Sequence, residues 1–217
     1  MGGRTILLAG FEPFGGDATN PSQEIVHALD GTSIAGHAVA GLVLPVSFAA
    51  TAPLLVDALA RERPAIALAL GQAGGRSGLS FERVAVNLID ARIADNDGLQ
   101  PVDAPVVAGG PAAYFSSLPV KAMARQVRAL GIPASLSMTA GTFACNQVFY
   151  LLAHAIAQGD ADTRGGFVHV PWLPQQAALR RDEPSMSLST MIEGVRAALD
   201  CAIATRVDLG VAEGETH

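Results

Sequence analysis

Three residues in this chain have side chains and settings suited to nucleophilic chemistry. Cys145 follows Thr139-Ala140-Gly141-Thr142-Phe143-Ala144 and opens an apolar run. If that run is a helix, the thiol sits at its N-terminus, beside unpaired backbone N–H groups and the positive end of the dipole. Both favour the nucleophilic thiolate, and the same N–H groups could hold an oxyanion. The alternative is a small buried hydrophobe, a common fate of free cysteine. His169 lies in Gly166-Phe167-Val168-His169-Val170-Pro171-Trp172, at the end of a short buried strand that Pro171 stops. Its imidazole either faces a crevice at the strand end or is a satisfied core histidine. Glu82 stands beside Phe81, just ahead of an apolar stretch, where position alone reads as a surface acid. Together they form a Cys–His–carboxylate set. Such sets are defined by geometry rather than chain order, so the pattern points to a cysteine hydrolase.

Two glycine-rich loops could line a pocket. The first is Gly10-Phe11-Glu12-Pro13-Phe14-Gly15-Gly16. No Gly-Lys-Ser/Thr follows, which excludes a phosphate loop. Phe11 and Phe14 flank a proline in a chain that is only 5% aromatic, so they either anchor the loop or wall a flat ligand. The second loop, Gly71-Gln72-Ala73-Gly74-Gly75-Arg76-Ser77-Gly78, contains no dinucleotide fingerprint. Its Gln72 would offer a donor and an acceptor at a strand end. Cys201 falls mid-helix, one position off the inward stripe, and reads as structural. His27, His37 and His154 have no Cys or carboxylate pattern around them. The absence of His-x-x-x-His and Cys-x-x-Cys argues against zinc. The acidic run at Asp95 lacks a calcium ligand two positions earlier, where Ile93 stands.

Positioning these groups requires a scaffold, and the chain alternates strand and helix signals. Strands are expected at Arg4–Ala9, Val39–Val46, Ala65–Leu70, Arg83–Ile89, Ala134–Met138 and Phe167–Val170. Helices are expected at Ser22–Leu29, Pro53–Arg61, Val120–Leu130, Cys145–Ala157 and Ser187–Thr205. Asn20 and Ser22 can cap the first, and Thr190 with Glu193 fits a capping box in the last. Asp95–Pro119 is loop-like but carries Val106, Val107, Tyr114 and Phe115, an apolar load expected to pack over the crevice or against a neighbouring subunit. The alternation argues an α/β fold, whose crevice lies at the strand carboxyl ends after Ala9, Leu70, Ile89, Met138 and Val170.

The whole chain agrees with an enzyme domain of this size. Its 217 residues suffice for one core, with residues 1–209 read as a single domain and the acidic segment 210–217 as a disordered tail. Net charge is −6 with no basic run, which argues against nucleic acid. No apolar stretch reaches the ~20 residues of a membrane helix, and no signal core precedes the first strand. Two cysteines do not make a disulfide framework, so a cytoplasmic protein is expected.

Five segments, taken together, resemble pyroglutamyl peptidase type I. They are Gly10–Gly16 with Asn20-Pro21-Ser22; Gly71–Arg76 leading to Phe81–Asn87; Asp90-Ala91-Arg92-Ile93 with Asp95–Gly98; Ala140–Asn146; and His169-Val170-Pro171 with Pro174-Gln175-Gln176. They run in family order from residue 5 to about 200. The resemblance implies a single α/β domain with an open mixed sheet sandwiched between helices. It also implies a cytoplasmic cysteine exopeptidase that removes an N-terminal pyroglutamyl residue from peptides, without metal or cofactor, as a homo-oligomer (tetramer or dimer). Carried over by position, Cys145 is the nucleophile, His169 the base and then acid, and Glu82 the residue that orients His169. Phe11, Phe14, Asn20, Gln72, Ile93, Phe143 and Ala144 match the pyroglutamyl pocket, and Arg92 the oxyanion side. Ala144, Thr139 and Ala94 stand where Val, Ser and Pro are usual, and none of these removes a reacting group. Two other readings remain: a different cysteine amidohydrolase, or a non-catalytic small-molecule binding protein. The first would place its nucleophile in a Gly-x-Cys-x-Gly elbow, which Phe143–Gln147 is not.

Overall fold

A computed structural model describes residues 5–159 and 162–214. The element order is β1 (Thr5–Phe11), α1 (Pro21–Leu29), β2 (Ser33–Ile34), β3 (His37–Leu44), α2 (Thr51–Glu62), β4 (Ile66–Gln72), β5 (Leu79–Glu82), β6 (Val84–Val86), β7 (Ala113–Phe115), α3 (Val120–Ala129), β8 (Ala134–Ser137), α4 (Ala144–Gln158), β9 (Arg164–Val170), α5 (Pro174–Ala177) and α6 (Leu188–Ala204). Seven strands form one mixed sheet in the order β2-β3-β1-β4-β9-β5-β8, and β6 and β7 pair separately.

Side-chain alternation along the central strands splits the interior into two layers. Ile6, Leu8, Ile66, Leu68, Leu70, Val168 and Val170 face one side with residues of α1, α3 and α6. Leu7, Ala9, Phe11, Ala67, Ala69 and Phe167 face the other, with residues of α2 and α4. Because both faces are covered, β1 and β4 read as nearly continuous apolar runs rather than alternating ones. The expected α/β sandwich around a mixed sheet is therefore the observed architecture.

Several expected boundaries move, each for a local reason. The strand expected at Arg83–Ile89 is two elements. β5 ends at Glu82, and Arg83 then leads the chain into the small β6–β7 sheet, with its N–H on the Ser137 carbonyl and its own carbonyl accepting from Ser116. Ile89 keeps only an isolated bridge to Ala104. The last strand begins earlier than Phe167, at Arg164, because Gly165 and Gly166 belong to it. A Cβ at Gly165 would lie 2.5 Å from Ile156 Cδ1, so this glycine lets α4 press onto the sheet. The cap of α6 is Ser187, whose hydroxyl accepts from Thr190 N–H, and not the Thr190–Glu193 box. α1 is capped by Asn20 as expected, with Pro21 in its first turn.

Strand direction also limits the crevice rule. β1, β4 and β9 run parallel, so the ends after residues 9, 70 and 170 share an edge. β5 is antiparallel to β9 and β8 is parallel to β5, so the end at Met138 points the other way. Near the C-terminus, Asp208 caps α3 by accepting from Lys121 and Ala122 N–H, and Glu213 pairs with Arg128. The last three tail residues, 215–217, lie outside the described residues.

Candidate active site

Strand register brings the three candidate residues onto one face of the sheet. Gly71 of β4 is paired with His169 of β9. On the other side of β9, Ser80 pairs with His169 and Glu82 with Phe167. Residues two apart on a strand share a face, so Glu82 lies diagonally across from His169 on the same side. The diagonal is closed by a hydrogen bond of 2.7 Å between His169 Nδ1 and Glu82 Oε1. Glu82 is fully buried, so the position that suggested a surface acid is an interior one. Its neighbour Phe81 points to the opposite layer and anchors the strand there.

Cys145 reaches the same face from above. It is the second residue of α4, whose first helical hydrogen bond runs from Gln147 N–H to the Phe143 carbonyl. A Cβ on Gly71 would lie only 2.7 Å from Cys145 Sγ, so the thiol rests on the backbone of the residue paired with His169. The two residues after the cysteine fix the helix start. Asn146 Nδ2 donates to the Val86 and Leu88 carbonyls while its Oδ1 accepts from Val86 N–H. Gln147 Nε2 donates to the Phe48 carbonyl.

The electrostatics differ from the expectation of a ready thiolate. Burial, reinforced by the Glu82 charge, pushes the Cys145 thiol up to about 12, against smaller opposing pulls from Arg76 and a backbone N–H. The helix N-terminus is outweighed because a thiolate loses more by desolvation than it gains from the dipole. Burial likewise holds His169 below the ordinary imidazole range, in spite of the Glu82 hydrogen bond and charge. Both shifts favour a thiol and a neutral imidazole over a thiolate–imidazolium pair. With Nδ1–H donating to the carboxylate, Nε2 is the basic nitrogen.

Arg76, which the sequence places in a glycine loop without a role, enters this site directly. Its Nη1 lies 2.7 Å from Glu82 Oε1, and its Nη2 donates to the Thr139 carbonyl at 3.4 Å. Nothing in the spacing between positions 76 and 82 announces the pairing, which depends on the turn from β4 into β5.

The candidate pocket residues are distributed unevenly. Phe14 and Phe143 are half-buried with ring centroids 6.3 Å apart, and Phe48 meets Phe143 edge-on at 5.2 Å. Phe48 was not anticipated. Phe11 and Ala144 are buried in the layer beneath. Arg92 and Ile93 are exposed on the loop after Ala91. The Asn20 side chain is engaged in the protein, donating to the Glu12 carbonyl and accepting from Ser22. So is that of Gln72, whose Oε1 accepts from Gln176 Nε2 and whose Nε2 donates to Asp17.

The groups left structural stay apart from this cluster. His154 Nδ1 bonds the Tyr114 hydroxyl, and Cys201 contacts Thr205. Among the described residues, no group of three His, Cys, Asp or Glu could hold a metal ion. No helix among them is long and apolar enough to cross a membrane.

Comparison with known proteins is consistent along the chain. Residues 4–205 match the family described as pyroglutamyl peptidase. The pyrrolidone-carboxylate peptidase of Cupriavidus necator is 53% identical, over 99% of this chain and 100% of that protein. That of Klebsiella pneumoniae is 51% identical, over 98% and 99%. Among solved structures, pyroglutamyl peptidase I of Bacillus amyloliquefaciens superimposes with a TM-score of 0.91 at 41% identity, covering 94% of this chain and 99% of that one. A mutant pyrrolidone carboxyl peptidase from Pyrococcus furiosus gives 0.89 at 42% identity, covering 92% and 98%.

Proposed function

The chain belongs to the pyroglutamyl peptidase family, and from that premise we propose that Cys145, His169 and Glu82 hydrolyse the amide bond after an N-terminal pyroglutamyl residue of a peptide. The observation that carries the assignment is the shared face: the buried 2.7 Å pair of His169 and Glu82, with Cys145 Sγ seated on Gly71 beside it.

The chemistry follows from the resting protonation. Cys145 is a thiol, so attack and deprotonation occur together: His169 Nε2 takes the proton as sulfur bonds to the scissile carbonyl carbon. Glu82 holds the ring in the Nδ1–H tautomer and stabilises the imidazolium that forms. The oxyanion develops near the first N–H groups of α4, with Arg92 on the same side. The C–N bond then breaks, and the leaving amine receives the proton from His169 Nε2. A thioacyl-enzyme remains. Water, deprotonated by His169, attacks the thioester, and the proton returns to sulfur as pyroglutamate leaves.

The pyroglutamyl ring is flat, uncharged and carries one N–H and one C=O. Phe14 and Phe143 supply apolar faces for it, backed by Phe11 and Ala144 in the same apolar cluster, and Ile93 is assigned to the pocket by its family position. The Gln72 amide is already bound to Gln176 and Asp17, so it contributes to ring recognition with its remaining hydrogen and lone pair or through its backbone. The Asn20 side chain acts by holding the Phe11–Phe14 loop on α1.

We extend the reading to a cytoplasmic homo-oligomer. Val106, Val107 and Tyr114 of the long loop pack on their own subunit, whereas Val102 and Phe115 remain exposed at 64% and 69% and suit a subunit contact.

The substrate class is tested with matched chromogenic amides. Pyroglutamyl amide should be cleaved and prolyl amide refused, because the prolyl amine would carry an unpaired charge into an apolar slot. Preference for the prolyl compound would overturn the pocket assignment.

A further inference from the structure

Glu82 Oε1 is shared by two donors at equal distance. His169 Nδ1 and Arg76 Nη1 each lie 2.7 Å from it, while Glu82 Oε2 has no partner among the described residues. A buried carboxylate without a cation is costly, so one of these neighbours must supply the positive charge. If His169 supplied it, the ring would be imidazolium, and Nε2 would carry a proton and could accept none. Arg76 is always charged, and its planar fork suits a carboxylate.

We propose that Arg76 is the standing counter-ion of Glu82, a positioning residue that lets His169 lie against a carboxylate while staying neutral and able to take the Cys145 proton. The proposal rests on the triad reading above. The geometry makes it specific: Arg76 comes from the loop between β4 and β5, and its second nitrogen is tied to the Thr139 carbonyl just beyond β8. The guanidinium is therefore aimed from two sides.

The charged and titratable groups around His169 are few. From β5, Glu82 favours the protonated ring. From the loop after β4, Arg76 opposes it, in the same direction as burial. From α4 the titratable neighbour is Cys145, held as a thiol. On its own strand the neighbouring ring is Phe167, with centroids 4.9 Å apart. Removing the Arg76 charge should therefore leave His169 as the remaining cation for Glu82.

The test compares the pH dependence of kcat/KM for Arg76→Gln and Arg76→Lys with that of the wild type. Gln keeps donors for Glu82 and Thr139 but no charge, whereas Lys keeps the charge. Arg76→Gln should lose about tenfold or more at pH 6 and under about threefold at pH 8, moving the acid limb upward, while Arg76→Lys keeps the limb in place. An unmoved limb in Arg76→Gln, or the same movement in both variants, would overturn the proposal. If Arg76→Gln does not fold, the Arg76→Gln/Glu82→Gln double variant has no buried charge to balance. Its turnover at pH 8 should match that of Glu82→Gln alone, and a further large loss would count against the proposal. Glu82→Gln also separates the two readings. If it is fully active, the triad fails. If it is impaired while Arg76→Gln keeps the wild-type limb, only the counter-ion role fails.

Discussion

Gly71 and Cys145 meet so closely that the glycine has no room for a side chain: a Cβ there would lie 2.7 Å from Sγ and 2.7 Å from Phe167 Cζ. Gly71 is also the register partner of His169. A missing side chain on β4 thus sets the height of the nucleophile over the strand that carries its base.

Gly71→Ala should therefore damage activity more than folding. Overpacking of this kind costs roughly 1–3 kcal/mol, and a displacement near 1 Å at a reacting atom can cost on the order of a hundredfold in turnover. Thermal melting and kcat on a pyroglutamyl amide measure the two. A fully active Gly71→Ala variant would show that Sγ does not need its seat.

The raised thiol makes a prediction about alkylation. Since Cys145 is pushed up to about 12, the free enzyme should react slowly with iodoacetamide at neutral pH, and the rate should keep rising past pH 9. A plateau near neutrality would instead indicate a thiolate–imidazolium pair.

His169 also links folding to pH. Its folded value lies below the ordinary one, so the unfolded chain binds the proton first. Stability from this group is complete above the unfolded value of about 6.5 and declines as pH falls from there toward the lower folded value. The wild type should lose melting temperature over that window more steeply than His169→Gln.

Asn146→Ala should loosen the nucleophile without touching it. It removes three hydrogen bonds to Val86 and Leu88 and leaves partly buried backbone groups unpaired, at up to roughly 1 kcal/mol each. Denaturant unfolding should show the loss, and kcat should fall with it.

Much of this site was legible in the sequence because local signals mark it. Cys145 opens an apolar helix, and His169 ends an apolar strand before Pro171. The fold class follows from the strand and helix alternation, since buried parallel strands are continuous apolar runs. The parts that could not be read depend on long-range pairing. Whether Glu82 is exposed or interior is decided by β5 lying between β9 and β8, a register that no local pattern specifies. The same holds for Arg76, which meets Glu82 only because of how the loop between β4 and β5 turns. The thiol's protonation turns on desolvation as well as on helix position, and only helix position is visible in a sequence.

The central claim is that Cys145 is the nucleophile, and the most direct measurement compares release of chromophore from a pyroglutamyl amide by Cys145→Ser and Cys201→Ser. Both proteins should remain folded. Cys145→Ser should lose nearly all turnover, because a hydroxyl is a far poorer nucleophile with the same base, while Cys201→Ser keeps the wild-type rate. Wild-type turnover in Cys145→Ser would contradict the account.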